Sequence, residues 1–305
     1  PLIVRSSSLL EDNFGTSFAG KYESLFCPNQ GSEAENLRDL TQAIQRIYAS
    51  IFNPDALTYR RSKGLQDYDE RMAILIQAVE GERFGRYFLP QGAGVAFSRN
   101  QFRWSAQIRR EDGFMRLVWG LGTRAVDRVG NDYPRLVALS HPLLHPQASP
   151  KLLSRYSQQF VDVIDLEDNQ YKSLPVGEVL VPENQAARYT ALRYIAQVFR
   201  DDYLAPLRTT LLEGDPHELV ITYDELLRRT PLARRMRDLL NHLEEHYHSP
   251  VDTEFTLTVK EPFSTSPEVD ICLLQCRPQS HLKEGTARVP ASINPADVIF
   301  STGRV

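Results

Sequence analysis

Two short stretches near the end of the chain bring together residue types that handle phosphate and divalent metal. In an extended strand, side chains two positions apart share a face. In Val251-Asp252-Thr253-Glu254-Phe255 the two carboxylates therefore project together, while Phe255 and Leu257 turn the other way. In Leu273-Leu274-Gln275-Cys276-Arg277, Gln275 and Arg277 share one face, and Leu274 and Cys276 the opposite one. If the two strands pair as a hairpin, the polar faces merge. Two carboxylates, an amide oxygen and a guanidinium at one end of a sheet suit a Mg²⁺-polyphosphate site: hard oxygens hold the ion, and arginine grips phosphate in a bidentate fork. The same alternation also describes an exposed hairpin with its polar residues outward, and spacing does not choose between them. A second cluster opens the chain. Val4-Arg5-Ser6-Ser7-Ser8 sets an arginine and three hydroxyls directly after an apolar strand, followed by Glu11-Asp12 and the segment 14–20. That pattern fits a phosphate-gripping turn with backbone N–H groups contributing, or an ordinary polar turn.

The elements that must position these groups are partly legible. Ser32 and Glu35 form a capping box ahead of Leu37, Leu40, Ile44, Ile47 and Ile51, which predicts a core-facing helix over 32–52. The apolar runs 72–79, 93–98 and 114–119 read as strands of one sheet. Residues 130–186 carry Pro134, Pro142, Pro146, Pro150, Pro175 and Pro182 around a single apolar run at 160–166, the pattern of a loop-rich insertion or connector. Helical spacing returns over 188–204 and again from Thr230. There Thr230 is the expected N-cap, Pro231 the first helical residue, and Leu232, Met236, Leu239, Leu240, Leu243 and Tyr247 one stripe that Pro250 ends. Strands are expected over 252–259 and 269–276, joined by the turn-rich 260–268; the tail after Gln279 has no periodicity. The expected fold is α/β (α+β), a mixed sheet with flanking helices. Its expected divisions are 1–125, a connector 126–186, a helical segment with the polar hairpin 187–279, and a tail 280–305.

Composition narrows the functional classes. The 305 residues, 42% hydrophobic and 24% charged, are ordinary for a globular protein. No window approaches the roughly 18 uninterrupted apolar residues of a membrane helix. Lys plus Arg number 35 against 39 Asp plus Glu, a net charge of -4, so no overall positive field draws in nucleic acid or an anionic membrane; an anionic ligand must be caught locally. Cys27, Cys272 and Cys276 lack CxxC spacing and are odd in number, which points to free thiols in a reducing, cytoplasmic compartment. Residues 1–4 have no initiator Met or signal-like pattern and read as a buried strand, so the chain is expected to be a piece whose site is shared with an upstream segment.

Other signals are weaker. Gly120-x-Gly122-x-x-Ala125 matches a relaxed dinucleotide fingerprint, but Gly130 and Pro134 shorten the following helix, and no acid lies about 20 residues beyond it. His242-Leu243-Glu244-Glu245-His246 fits an inverted zinc-protease pattern, yet the apolar stripe of that helix leaves both histidines to solvent. His141 and His145, in His-Pro-Leu-Leu-His-Pro, read as polar loop residues more readily than as a phosphocarrier. Arg228, Arg229, Arg234, Arg235 and Arg237 read as a solvated helix face.

Several separated motifs carry a family resemblance. Residues 4–26 (VRSSSLLEDNFGTSFAGKYESLF), 92–100 (GAGVAFSRN), 244–259 (EEHYHSPVDTEFTLTV) and 273–279 (LLQCRPQ) resemble, in the same order, the nucleotide-binding domain of the phosphoenolpyruvate synthase and pyruvate phosphate dikinase family. The resemblance is strong at both ends and weak between about 125 and 240. It implies an ATP-grasp fold that moves a phosphoryl group from Mg²⁺-ATP to a histidine on a separate phosphocarrier domain, which delivers it to a pyruvate-binding domain. By the same resemblance Arg5 contacts phosphates, Asp252, Glu254 and Gln275 are metal and nucleotide ligands, and Arg277 is the catalytic phosphate-binding arginine. It also implies an upstream lobe, absent here, with a lysine that reaches the ATP phosphates. Where the family usually reads GLGE, this chain has Gly120-Leu121-Gly122-Thr123-Arg124, without the acid. The same domain serves rifampicin phosphotransferases and glucan water dikinases, and a non-catalytic nucleotide-binding or regulatory module of the same fold is the alternative.

Overall fold

The capping box read at Ser32 is formed: the Ser32 hydroxyl accepts from the Glu35 amide, and the Glu35 carboxylate accepts the Ser32 N–H at 2.8 Å. The computed structural model describes residues 1–11, 20–100, 102, 104–126, 132–147, 149–181, 189–207, 216–279 and 294. In it, β1 (Leu2–Ser8), β2 (Ser24–Cys27) and β3 (Met72–Ala78) make an antiparallel sheet in the order β2-β1-β3. Helix α1 (Glu33–Ala49) packs across one face, where Val4, Cys27, Ala43 and Ile47 are buried together. A 3₁₀ turn (Ser50–Phe52) and α2 (Pro54–Ser62) follow. Leu37, the first residue of the predicted stripe, stays 65% exposed beyond the sheet.

Two expectations change here. Arg5 to Ser8 lie inside β1, paired with β3 as far as Ser8 opposite Met72, and not in a turn. Their hydroxyls are tolerated in a strand because they find acceptors: Ser6 donates to Glu11 at 3.0 Å and Ser8 to Glu70 at 2.7 Å. The run 72–79 belongs to this sheet, whereas 93–98 and 114–119 belong to another.

The second sheet joins β4 (Glu82–Phe84), β5 (Tyr87–Leu89), β9 (Phe160–Asp165) and β10 (Gln170–Pro175) in the order β10-β9-β5-β4. The third, five-stranded, takes β6 (Gly92–Phe97), β7 (Phe114–Val118), β8 (Arg135–Ala138), β14 (Val251–Lys260) and β15 (Glu268–Pro278) in the order β15-β14-β6-β7-β8. The stretch read as loop-rich thus supplies β8, β9 and β10. Pro134 directly precedes β8, Pro150 starts a helix and Pro175 ends β10, places where a missing N–H costs nothing. Every pairing of named strands is antiparallel, so four antiparallel sheets replace the single mixed sheet within an α/β composition.

The fourth sheet corrects the helix expected over 188–204. After α3 (Thr123–Val126), α4 (Pro150–Arg155), α5 (Val176–Val179) and the one-turn α6 (Leu192–Ile195), the chain forms β11 (Ala196–Arg200) and β12 (Tyr203–Pro206), with β13 (Leu219–Ile221) on the other side of β11. Arg200 pairs with Tyr203 across Asp201 and Asp202, at φ +52° and +58°. Two left-handed residues make the tight turn whose twist matches a hairpin, and Asp tolerates that conformation. Helix α7 (Asp224–Arg229) ends at Thr230, and α8 (Leu232–Tyr247) begins one residue later than expected, with Pro231 and not Thr230 at its N-cap; the Thr230 hydroxyl donates to the Leu226 carbonyl at 2.7 Å and accepts the Leu232 N–H at 3.4 Å. The stripe of α8 closes a core that contains Trp119, Tyr194, Tyr223 and Phe255, all buried. Among the described residues no helix is long and apolar enough to cross a membrane.

Two consequences are testable. Gly94 sits in β6 between β7 and β14, and a Cβ there would lie 2.0 Å from the Arg116 carbonyl oxygen. Backbone cannot retreat as a side chain can, so Gly94→Ala is expected to destabilise the protein by about 3 kcal/mol, read as a lower urea midpoint. Asp165, 1% exposed, closes the β9–β10 turn. Burial alone would raise its pKa, but hydrogen bonds from Lys172, Arg86 and the Asp168 amide outweigh this and hold it at about 2. A carboxylate depressed below its unfolded value of about 3.9 stabilises above that pH and loses its contribution as pH falls toward 2. Asp165→Asn should therefore flatten the loss of stability between about pH 4 and pH 2, measured by chemical denaturation at each pH.

Candidate functional site

The four polar residues of the predicted hairpin lie opposite one another in pairs. In the β14–β15 ladder, Asp252 faces Arg277 and Glu254 faces Gln275. Asp252 accepts from Arg277 Nε at 2.7 Å. Arg5 reaches them from the other sheet: its Nη2 donates to Glu254 Oε2 and to Gln275 Oε1, each at 2.7 Å, across 249 and 270 positions of sequence. The structure thus brings together all five residues singled out from the sequence, and their ion-paired side chains are between 15% and 24% exposed. That burial suits groups that must exchange partners: sheltered enough for electrostatics to count, open enough to meet a ligand.

Local features aim these side chains. Val4, one residue before Arg5, is fully buried beneath α1, so Arg5 leaves the sheet on the face away from the helix. On β14, Thr253, Phe255 and Leu257 are buried, while Asp252 and Glu254 alternate outward. The register shifts between Glu254 and Phe255, a bulge of the kind that re-aims side chains next to sites. The start of the strand is pinned by Ser98: its hydroxyl accepts the Val251 N–H at 2.9 Å, and its own N–H donates to the Val251 carbonyl at 3.0 Å. The end of β15 is held by the Gln279 N–H on the Pro250 carbonyl. Cys276 points to the core side, where burial pushes its thiol up and away from reactivity; all three cysteines are free.

Glu254 and Gln275 already converge on one positive centre, the Arg5 guanidinium, and the donors are hard oxygens. Among the described residues no group of three or more His, Cys, Asp and Glu gathers to hold a metal. The donor set therefore fits Mg²⁺ in its usual manner, with one or two carboxylates from the protein and the remaining positions filled by phosphate oxygens and water. It does not fit a closed, all-protein metal cage.

Some participants had no sequence signal. Glu70 accepts from Ser8 at 2.7 Å and from the Tyr22 phenol at 3.0 Å, and so ties the end of β1 to the residues leading into β2. Burial first, then the Glu70 charge, pushes the Tyr22 phenol well above its ordinary range. Glu70 was hidden in the polar run Asp69-Glu70-Arg71. The segment 12–19, part of the expected phosphate turn, lies outside the described residues. Thr123 stands where an acid was expected, but a carboxylate is present in space: its hydroxyl donates to Asp162 of β9, which Arg124 Nε also contacts at 3.0 Å. Three histidines weighed from the sequence have neighbours away from this site. His145 Nε2 lies 2.9 Å from Asp224, His246 Nδ1 donates to the His242 carbonyl, and the rings of His242 and His246 stand 4.3 Å apart on an exposed helix face.

Comparison with known proteins covers nearly the whole chain. Residues 1–296 match the family described as pyruvate phosphate dikinase, AMP/ATP-binding domain. A phosphoenolpyruvate synthase of Aeropyrum pernix is 26% identical over 279 residues, which is 91% of this chain and 28% of that enzyme. A phosphoenolpyruvate synthase of Escherichia coli is 35% identical over 133 residues, 42% of this chain and 14% of the enzyme. A rifampicin phosphotransferase of Streptomyces sviceus is 32% identical over 129 residues, 42% of this chain and 13% of the enzyme. The chain thus spans under a third of the length of each of these relatives.

Proposed function

The chain belongs to the pyruvate phosphate dikinase AMP/ATP-binding domain family, and from that premise we propose that it is the ATP-grasp-like nucleotide-binding part of a phosphotransferase, holding Mg²⁺-ATP at the edge formed by Arg5, Asp252, Glu254, Gln275 and Arg277. The observation that carries the reading is the convergence of Arg5 from one sheet with Glu254 and Gln275 from another. A polar hairpin that was merely exposed would not recruit a guanidinium from 249 positions away.

In this mechanism the protein positions and neutralises more than it reacts, because phosphoryl transfer needs charge stabilisation above all. Arg5 holds Glu254 and Gln275 in place before nucleotide arrives, then exchanges these oxygens for phosphate oxygens. Asp252 orients Arg277 through Nε, and the planar guanidinium acts as the fork that grips the transferred phosphoryl group. Mg²⁺, when bound, supplies neutralisation of the polyphosphate charge beside Asp252, Glu254 and Gln275. The phosphoryl group passes to a carrier histidine on another domain of the full-length protein. Relatives of this chain are named for different compounds, phosphoenolpyruvate and rifampicin, which supports a reading in which the final acceptor is selected by other parts of the full-length protein.

Incubating the full-length protein with Mg²⁺-ATP labelled in its phosphates tests this. The expected product is a protein-bound label that is acid-labile and base-stable, as a phosphohistidine is. A protein that binds Mg²⁺-ATP but takes up no label would instead support a non-catalytic nucleotide-binding module.

A further inference from the structure

A cavity of about 310 Å³ lies at the opposite edge of the five-stranded sheet from the nucleotide site, bordered by β7, β8, α3 and α4. Its size is at the small end of the range for ligand pockets, roughly 300–1,000 Å³, which suits a molecule of one or two rings. Aromatic faces dominate one side: Tyr133 and Tyr156 pack edge to face with centroids 5.1 Å apart, and Phe102 and Tyr156 each remain 37% exposed. Aromatic side chains left open to solvent around a recess are unspent binding surface.

The walls are braced by charge. Arg124 is fixed by Asp132 at 2.6 Å and Asp162 at 3.0 Å. Arg135, 5% exposed, donates to the carbonyls of Leu136, Pro142 and Thr222. Such bracing keeps a recess open and makes it preorganised, so a ligand need not order it on binding. The lining itself carries three arginines, Arg116, Arg124 and Arg135, against one carboxylate, Asp132. Asp224, the carboxylate beside Arg135, lies 3.4 Å from it but 2.9 Å from His145. Burial pushes the Arg135 guanidinium down to about 10, more than the pull of Asp224 restores. Arg116 lines the same cavity with its guanidinium over the rings of Phe97 and Phe102, at 5.9 and 5.5 Å. Ring faces beside guanidinium groups are complementary to a flat ring carrying negative charge.

We propose that this cavity is a second ligand site, distinct from the nucleotide site, which takes a small flat aromatic carboxylic acid. The ring lies against Tyr133 and Tyr156, and the carboxylate faces the Arg116 and Arg135 wall.

The test is calorimetric titration of 2-naphthoate, and of the neutral 2-naphthylmethanol, into the full-length protein with and without saturating Mg²⁺-ATP. Naphthoate should bind with Mg²⁺-ATP present, and the alcohol at least about tenfold more weakly. Leu153 of α4 lines the cavity, so Leu153→Trp should fill it and weaken naphthoate about tenfold or more, with the thermal midpoint and Mg²⁺-ATP binding unchanged. Tyr156→Ala, which removes an exposed wall, replaces that variant if Leu153→Trp fails to fold. No naphthoate binding, equal binding of the alcohol, displacement by Mg²⁺-ATP, or wild-type affinity in a folded cavity variant would each overturn the proposal.

Discussion

Glu254→Ala in the full-length protein is expected to lower Mg²⁺-ATP-dependent phosphoryl transfer by about 10³-fold, on the order of 4 kcal/mol of transition-state stabilisation. Two losses combine. The variant lacks a hard oxygen beside the polyphosphate, and Arg5 loses the carboxylate that holds it at 2.7 Å. The fold should survive, because the Glu254 side chain alternates away from the core and Arg5 keeps the Gln275 oxygen as an acceptor. Glu254→Gln separates the two losses: it keeps an oxygen acceptor for Arg5 but removes the charge. If charge beside the metal is the larger part, the Gln variant behaves nearly as badly as the Ala variant. Wild-type turnover in either, with an unchanged thermal midpoint, would remove Glu254 from the site.

Arg277→Lys is expected to cost about 10²-fold in kcat with a smaller change in KM for ATP. Arg277 uses Nε on Asp252, which fixes the plane of the guanidinium, and a planar guanidinium can meet two phosphate oxygens at once. A lysine ammonium can still pair with Asp252 as a point charge, so stability is preserved while the planar fork is lost. The asymmetry between kcat and KM is the diagnostic part. An interaction made only as charge develops in transfer lowers kcat, whereas one that merely binds nucleotide raises KM. Unchanged kinetics would place Arg277 outside the reaction.

The legible parts of this protein were those with local causes. Asp252, Glu254, Gln275 and Arg277 were found because strand alternation is a two-residue rule, and the same rule set Phe255 and Leu257 in the core. The capping box of α1 lies within four residues, and its geometry followed. Relations between distant segments had no such trace. Nothing in Val4-Arg5-Ser6 says that Arg5 will reach Glu254, and nothing in the run 72–79 says that it pairs with β1 and not with β6. The helix expected over 188–204 failed for a readable reason: Leu192, Tyr194 and Ile195 fit helical spacing, but Asp201-Asp202 between Ala-Gln-Val-Phe-Arg and Tyr-Leu-Ala-Pro was a hairpin signal. Prolines hid β8, β9 and β10 because they mark the ends of elements as often as loops. Glu70, half-buried between Asp69 and Arg71, and Asp162, buried between Val161 and Val163, stayed invisible because a lone acid has no periodicity to betray it.

The central claim is that the two sheets share one Mg²⁺-dependent nucleotide site at Arg5, Glu254 and Gln275. Its most direct test is calorimetric titration of ATP into the full-length protein with Mg²⁺ and with the metal chelated, repeated on Glu254→Gln. The account predicts saturable binding that weakens at least about tenfold without Mg²⁺ and becomes insensitive to Mg²⁺ in the variant. ATP binding of equal strength with and without the metal, or a Mg²⁺ dependence that Glu254→Gln leaves intact, would contradict it.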